Sequence, residues 1–337
     1  MNHFIKQSPI TGLAGFGGGS SGLVNAGSIV YGFYGDRGIL AGGFRVGDNY
    51  LLEDICYIDL TSLGNTSDFG DLDTKVAYCG MASDGTTINM AGGWDGTGVN
   101  SNRTTRIEKV VSATLGNGTD QGDLTVGRND CSAVGGSGRA VNAGGAGGAS
   151  GIGEVMDYWT ISTNNNATDF GDLTDARGST GAASNGVRGL WAGGESGVTD
   201  TIDYCVIMTT GNATDFGDLT QSRYRCGGVG NDTRSVWAMG YGGGTYLNII
   251  DYVTTDTTGN ASDFGDSVYS KECTAACNNA TRGLWAAGSP AGGVNNYHNA
   301  MEYITIATTA NATATGTIGG SGGQGRRGTT GASGAAS

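Results

Sequence analysis

Hydrophobic and polar residues alternate in short stretches of this chain, and the alternation returns at a nearly constant interval. The clearest stretches are residues 201–207 and 249–254, where apolar, β-branched and aromatic side chains recur at every second position. A period of two is typical of β-strands that turn one face to a core. No segment carries the 3.6-residue apolar stripe of an amphipathic helix. The pattern therefore predicts an all-β protein.

Three sequence features recur in a fixed order. An apolar strand ends in small residues, as in Ile-Leu-Ala-Gly-Gly at 39–43, then an alternating strand follows, and an Asp-Phe-Gly-Asp motif comes next. The centres of the alternating strands are 46 to 52 residues apart: Tyr57, Lys109, Tyr158, Tyr204, Tyr252 and Tyr303. A fourth strand fits between the motif and the next apolar strand. Four short strands per unit of this length predict a β-propeller of about six four-stranded blades.

The repeats predict the domain organisation. The propeller is expected over residues 28–315, in units near 28–75, 76–128, 129–177, 178–223, 224–271 and 272–315. Its first strand is expected at 29–32, and either 311–316 or 4–11 supplies the outer strand that the sixth unit lacks. Residues 1–27 and the Gly/Ser-rich residues 316–337 are predicted to be terminal extensions that dock onto partners.

The Asp-Phe-Gly-Asp motif is interpreted as a structural turn. We expect its first Asp to cap the turn, its Phe to fill the blade and its Gly to adopt a positive φ. The intact copies are Asp68, Phe69, Gly70, Asp71; Asp169, Phe170, Gly171, Asp172; Asp215, Phe216, Gly217, Asp218; and Asp263, Phe264, Gly265, Asp266. A cation follows the second Asp in most units, which predicts a repeated salt bridge with that Asp. Since paired carboxylates in separate blades do not converge, no metal site is expected there.

Asparagine precedes every motif in an Asn-x-Ser/Thr pattern. The six positions are Asn65, Asn117, Asn166, Asn212, Asn260 and Asn311. Asparagine favours Asx turns and tolerates a positive φ, so we interpret these residues as part of the turn rather than as glycosylation sites.

Composition and charge narrow the range of partners. The 337 residues include 66 Gly and only 2 Pro, which suits many tight hairpins. The formal charge of −13 disfavours nucleic acid and anionic membranes as partners. The sequence shows no apolar run of membrane length and no signal-peptide pattern. We therefore expect that the chain does not insert into a membrane and that it assembles in a cytoplasm. Cys79, Cys131, Cys226 and Cys273 occupy nearly equivalent repeat positions and are expected to be small, buried, reduced residues.

The double glycine after an apolar strand, followed by an aromatic on the next strand, is similar to Kelch-type propeller repeats. The run Asn-Ala-Thr-Asp-Phe-Gly-Asp-Leu-Thr, intact at 166–174 and 212–220, resembles Kelch-like repeats in virion structural and tail proteins of tailed bacteriophages. The second unit departs from the pattern by lacking the Phe and the Tyr, and the sixth lacks the motif. The resemblance implies a virion component that contacts other virion proteins through its terminal segments, without catalytic residues, metal or cofactor.

Two other functions stay open. A host-receptor or glycan-binding adhesin would use loops that differ between units, at 93–105, 146–153 and 240–248, and candidate ligand aromatics are Trp94, Tyr241, Tyr246 and Tyr297. A polysaccharide-degrading enzyme would need carboxylates outside the repeat pattern, such as Glu53, Asp54, Glu154 and Glu195. The symmetry of the sequence favours a non-enzymatic protein, because a reaction needs unlike groups in one place.

Overall fold

The alternating segments pair into small antiparallel sheets of four strands, and six such sheets surround a common axis as the blades of a β-propeller. A computed structural model describes residues 35–45, 50–96, 103–147, 151–290, 298–319 and 325–334. The predicted all-β class and the six four-stranded blades are confirmed. Within these residues no helix is long and apolar enough to cross a membrane.

Each blade runs outward from the axis in four strands. In blade order, the innermost strands are Thr330–Gly334, Gly80–Ser83, Ser132–Gly136, Gly181–Ser184, Gly227–Gly230 and Ala275–Asn278. The second strands are Arg37–Ala41, Thr87–Ala91, Arg139–Ala143, Arg188–Ala192, Arg234–Ala238 and Arg282–Ala286. The third strands are Asp54–Asp59, Arg106–Val111, Val155–Thr160, Thr201–Val206, Ile249–Thr254 and Ala300–Thr305. The outermost strands are Ser67–Asp71, Thr119–Asp123, Thr168–Asp172, Thr214–Asp218, Ser262–Asp266 and Thr313–Thr317.

Among the described residues, nine two-residue strands lie at one end of the ring. They are Phe44–Arg45, Arg128–Asn129, Ala146–Gly147, Gly151–Ile152, Tyr241–Gly242, Thr245–Tyr246, Lys271–Glu272, Ser289–Pro290 and Arg326–Arg327. They belong to the connections from second to third strands and from each outermost strand to the next blade. We call this end the loop face, and the opposite end, with the tight turns, the turn face.

Small residues line the axis because the innermost strands crowd together there. A Cβ added at Gly228 would lie 2.2 Å from the carbonyl oxygen of Ala182 in the neighbouring blade, and one at Gly135 would lie 2.2 Å from that of Ser83. Both distances are far below van der Waals contact, so only glycine fits. The innermost strands are accordingly rich in Gly, Ala and Ser, as the sequence predicts.

The ring closes through its C-terminal residues, which corrects the prediction of a docking tail at 316–337. Thr330–Gly334 pairs with Arg37–Ala41 and is the innermost strand of the first blade. That place was predicted for residues 29–32, which lie outside the described residues, as do residues 1–27. Of the two segments predicted to complete the sixth blade, the C-terminal one is confirmed, because Thr313–Thr317 forms its outermost strand.

The interpretation of the Asp-Phe-Gly-Asp motif as a turn is also wrong. The motif is the outermost strand of its blade. Its Phe is buried against the blade, its first Asp is exposed, and its second Asp is exposed or half-buried along the outer edge. Its Gly has the expected positive φ, 139° at Gly171, where an added Cβ would lie 2.5 Å from the Gly211 carbonyl of the next blade. The exposed carboxylates also discourage edge-to-edge pairing with other sheets.

Each asparagine of the Asn-x-Ser/Thr pattern joins two blades. Its Oδ1 accepts a hydrogen bond from the backbone N–H of the last motif residue in the preceding blade, as Asn212 does from Asp172 at 3.2 Å. The same bond occurs at all six interfaces, with Asn65 closing the circle to Thr317. The interpretation of these asparagines as turn residues therefore missed their hydrogen-bond partner in the neighbouring blade, which for Asn212 lies 40 residues away along the chain.

The expected salt bridges form with a different partner. Arg223 pairs with Asp251 on the third strand of the next blade at 2.8 Å, and both side chains are fully buried. Asp251 also accepts hydrogen bonds from the backbone N–H and the hydroxyl of Thr220, two residues after the motif. Equivalent pairs are Arg128–Asp157, Arg177–Asp203, Lys271–Glu302 and Arg326–Asp54. The partner is thus a carboxylate of the third strand rather than the motif Asp. In four of the five pairs it directly precedes the central tyrosine of that strand, and in the fifth, Asp54, it is the first residue of the strand.

Candidate functional site

Six backbone hydrogen bonds form a closed circle around the axis at the loop face. They link the residues that precede the innermost strands, which we call the axial ring: Tyr78, Asp130, Ser179, Arg225, Cys273 and Gly328. Each N–H donates to the carbonyl of the previous member, at distances from 2.7 to 3.3 Å. All six have φ between 55° and 62°, the left-handed region that suits glycine. The ring is therefore a fixed frame at the mouth of the axis.

The axial ring carries unlike side chains although the rest of the repeat is regular. All six members line one cavity of about 130 Å³, together with the first residues of the innermost strands. Deeper along the axis a second cavity of about 100 Å³ follows, lined mainly by small residues such as Ser83 and Ala183. The mouth is thus the place where the symmetric fold brings unlike polar groups together.

The polar groups of the mouth form two connected sets. The carboxylate of Asp130 accepts bonds from Asn129 Nδ2 at 2.6 Å and from the hydroxyl of Ser179 at 3.3 Å. The guanidinium of Arg225 donates from Nη1 to Glu272 at 3.2 Å. Arg225 Nε is buried and has no hydrogen-bond partner within the described part of the chain, and the same holds for the hydroxyl of Thr274.

Burial governs the ionisation of these groups. It raises the pKa of Asp130 to about 6, and the charge of Arg225 limits the rise. Burial likewise raises the pKa of Glu272 against the opposing effect of Arg225. Burial also raises the pKa values of Tyr78 and of Cys273, so both are neutral near pH 7 and neither is an activated nucleophile.

Aromatic rings flank the mouth on two sides. On one side Phe44 packs against Tyr78 and Trp94, with ring centroids 5.6 and 5.2 Å away. On the other side Tyr241 lies between Tyr224 and Tyr246, at 5.8 and 5.1 Å.

Three of the four candidate ligand aromatics, Trp94, Tyr241 and Tyr246, therefore belong to the loop face, where each is half-buried. Tyr297 lies outside the described residues. Of the candidate carboxylates, Glu195 is close enough to Asp130 and Glu272 to raise their pKa values. Asp54 instead forms a salt bridge with Arg326, and Oε1 of Glu53 lies 3.8 Å from Nζ of Lys75.

Sequence reasoning missed the axial ring itself. Its members sit beside the cysteines that were aligned as equivalent: Tyr78, Asp130 and Arg225 directly precede Cys79, Cys131 and Cys226, whereas Cys273 is a ring member. That one-residue offset, and the variety of the residue before the cysteine, were the available signals. All seven cysteines are buried and unpaired, as expected.

The structure defines a class: a six-bladed β-propeller with a polar site at one end of its axis. The sequence matches no family model, and no curated protein matches it either. Over the described ranges no three His, Cys, Asp or Glu side chains are grouped so as to hold a metal ion.

Proposed function

We propose that this protein is a non-enzymatic binding module of a bacteriophage particle, in which a rigid propeller presents one recognition face. The observation that carries the binding role is the contrast between a regular scaffold and an irregular mouth. Every blade interface repeats the same asparagine bond, while the axial ring holds Tyr78, Asp130, Ser179, Arg225 and Cys273 in one cavity. The particle location rests on the resemblance of the repeat to phage virion proteins.

Attachment to other virion proteins would use the N-terminal residues 1–27. Residues 325–334 are part of the propeller ring. Arg326 forms a salt bridge with Asp54, and Thr330–Gly334 is the innermost strand of the first blade. A C-terminal docking arm would have to leave that sheet and uncover the second strand of the blade.

The particle role is tested by mass spectrometry of phage particles purified through two density gradients. We expect the chain at a fixed copy number relative to the major capsid protein, and loss of the chain from particles when residues 1–27 are deleted. Particles that lack the intact protein, while the same lysate contains it, would refute the role.

A host-glycan adhesin is the second candidate. The half-buried Tyr224 lies near both Glu272 and Glu195, and the half-buried Tyr246 lies near Glu272. Ring faces beside carboxylates suit sugar binding. A polysaccharide-degrading enzyme is tested by incubating the full chain with host capsule and assaying reducing ends. We expect none to appear above those released by a heat-denatured sample.

A further inference from the structure

We propose that the turn face is the surface by which the propeller docks on a protein of the particle, with carboxylates of that protein opposite a ring of arginines. The inference rests on the proposed particle role and adds an orientation to it. The loop face, which holds the axial mouth, then points away from the particle.

Both ends of the described propeller lie at the turn face. The second strands begin there, so the chain enters the first blade at Arg37 from that side. The innermost strand Thr330–Gly334 ends there as well, because Gly334 pairs with Arg37. The sequence has 34 residues before Gly35 and three after Gly334. A protein that holds residues 1–27 is therefore joined to the propeller on the side of the turn face.

The turn face is even, whereas the loop face is not. The connections from third to outermost strands have seven residues in every blade: 60–66, 112–118, 161–167, 207–213, 255–261 and 306–312. The connections from second to third strands, at the loop face, have 8 to 14 residues. A protein partner needs a broad surface of about 800 Å² on each side, while a small ligand needs a concave pocket. An even face meets the first requirement.

The turn face carries no net charge. Its turns and the strand ends beside them contain five arginines and five aspartates: Arg37, Arg139, Arg188, Arg234 and Arg282, and Asp36, Asp59, Asp84, Asp232 and Asp256. Since the formal charge of the chain is −13, the whole excess of carboxylates lies elsewhere in the chain. A protein with acidic groups thus approaches this face without repulsion from a net charge, whereas a polyanion would meet one aspartate for every arginine.

The five arginines are held in fixed positions. Each guanidinium lies over the central tyrosine of its own blade, with Cζ 4.3 to 5.6 Å from the ring centroid. Each also donates from Nη1 to a backbone carbonyl in a turn of the next blade, at 2.7 to 3.2 Å. The second blade interrupts the ring, because Thr87 and Lys109 stand in these places. A side chain that is already ordered loses little conformational entropy when a partner binds.

None of the five arginines forms a salt bridge with a carboxylate of the described residues, although each of the five buried cations between blades does. Four of the five aspartates already accept hydrogen bonds from their own turn or from an asparagine of the neighbouring blade: Asp36, Asp59, Asp84 and Asp256. A guanidinium has five N–H donors, so each half-buried arginine keeps donors for a partner. Carboxylates are the groups that match them best.

The test is the reactivity of single added cysteines towards a maleimide. All seven native cysteines are buried, so the reagent reports the added thiol. Thr209→Cys places it on the turn face and Thr245→Cys on the loop face, and both threonines are exposed. We expect equal reactivity of the two variants in the isolated chain. In purified particles Thr209→Cys should lose most of its reactivity, while Thr245→Cys keeps it.

A second measurement tests the chemistry of the contact. Arg188→Gln removes one guanidinium of the turn face, and Arg106→Gln, at the loop face, is the matched control. We expect Arg188→Gln to be released from particles at a lower NaCl concentration than the parent chain, because the lost contact is charged. Arg106→Gln should be released at the concentration of the parent. The cysteine test decides the docking surface even if Arg188→Gln does not fold.

The proposal is overturned if Thr209→Cys reacts in particles as it does in the isolated chain, if Thr245→Cys is the protected position, or if a folded Arg188→Gln is released as the control is. An isolated chain that forms a dimer and protects Thr209→Cys within it would overturn the proposal in favour of a second copy. Absence of the parent chain from particles refutes the particle role and this docking with it. A chain that is present but unprotected refutes the docking surface alone, so the two failures are distinguishable.

Discussion

Replacing Asp130 by Asn should make the protein more stable at neutral pH, even though it removes a group from the candidate site. In the folded chain burial raises the pKa of Asp130 to about 6, against an ordinary value of 3.8. Between these two values the folded state holds a proton that the unfolded state has released. The contribution of Asp130 to the free energy of unfolding is therefore fully present below about pH 4, and it is lost as the pH rises through about 6.

The size of the effect follows from the shift. About two pH units at about 1.4 kcal/mol each give about 3 kcal/mol as an upper bound. Asparagine is neutral at every pH and keeps both local contacts, because its oxygen can accept from Asn129 and its amide can donate to Ser179. We expect Asp130→Asn to raise the free energy of unfolding by about 2 kcal/mol at pH 8 and to change it little at pH 4.

The assay is urea unfolding of both proteins at pH 4, 5, 6 and 8, followed by tryptophan fluorescence. Asp169→Asn, an exposed residue of an outermost strand, is the control and should show no such pH-dependent gain. If Asp130→Asn is less stable than the parent at pH 8, the charge of Asp130 stabilises the fold through Arg225, and the dominance of burial is refuted.

Three further predictions concern the scaffold. Gly171→Ala should lower the free energy of unfolding, measured with urea, by about 3 kcal/mol or more, because the new methyl group meets the backbone of the next blade. Gly116→Ala is the control. Its new methyl group meets no atom within 4 Å, so the substitution should cost less than about 1 kcal/mol. Asp251→Ala should cost about 3 to 5 kcal/mol in the same assay, since it leaves a buried Arg223 without its anion, and a cost below 1 kcal/mol would contradict the assigned pair. Ending the chain at residue 324 should open the first blade to limited proteolysis, and equal protease resistance of the truncated and full-length chains would contradict closure by the C-terminal strand.

The sequence predicted the ring well because its signals are local. Alternation marks the third strands, and the small-residue ends mark the second strands. Every strand of the second to fifth blades lies within the predicted units. The axis composition was predictable for the same reason, since crowding at an axis demands small side chains wherever it occurs.

The Asp-Phe-Gly-Asp segment was misassigned because its residue types favour turns when they are judged alone. Two features that are invisible locally make it a strand. Phe170 is buried against the aromatic ring of Tyr158, with centroids 6.0 Å apart, and Gly171 lies against the backbone of the next blade. Tertiary contacts from about 40 residues away thus override the turn propensity.

The C-terminal strand was missed because a Gly/Ser/Thr-rich end has the composition of a linker. The same composition describes the innermost strands, so composition does not distinguish the two. Register does: Arg326, Thr329 and Ala332 occupy the places that Arg177, Thr180 and Ala183 occupy in the fourth blade. A comparison of the last residues with each blade, rather than with linkers, would have predicted ring closure.

The axial ring is only weakly marked in the sequence, by its place beside the aligned cysteines, since its structural role is carried by backbone atoms alone. Because N–H and C=O make the circle, nothing in the repeat fixes the side chain, and the left-handed φ would favour glycine at all six places. Only Gly328 is glycine. Each of the other five costs about 1 kcal/mol in backbone strain, and together about 5 kcal/mol, which is comparable to the whole net stability of many domains. Strain alone does not single out the ring, because Met239 and Ala287 adopt the same left-handed φ away from the cavity. What supports the proposed binding role is the gathering of unlike polar side chains around one cavity, which a ring held by backbone atoms alone does not need.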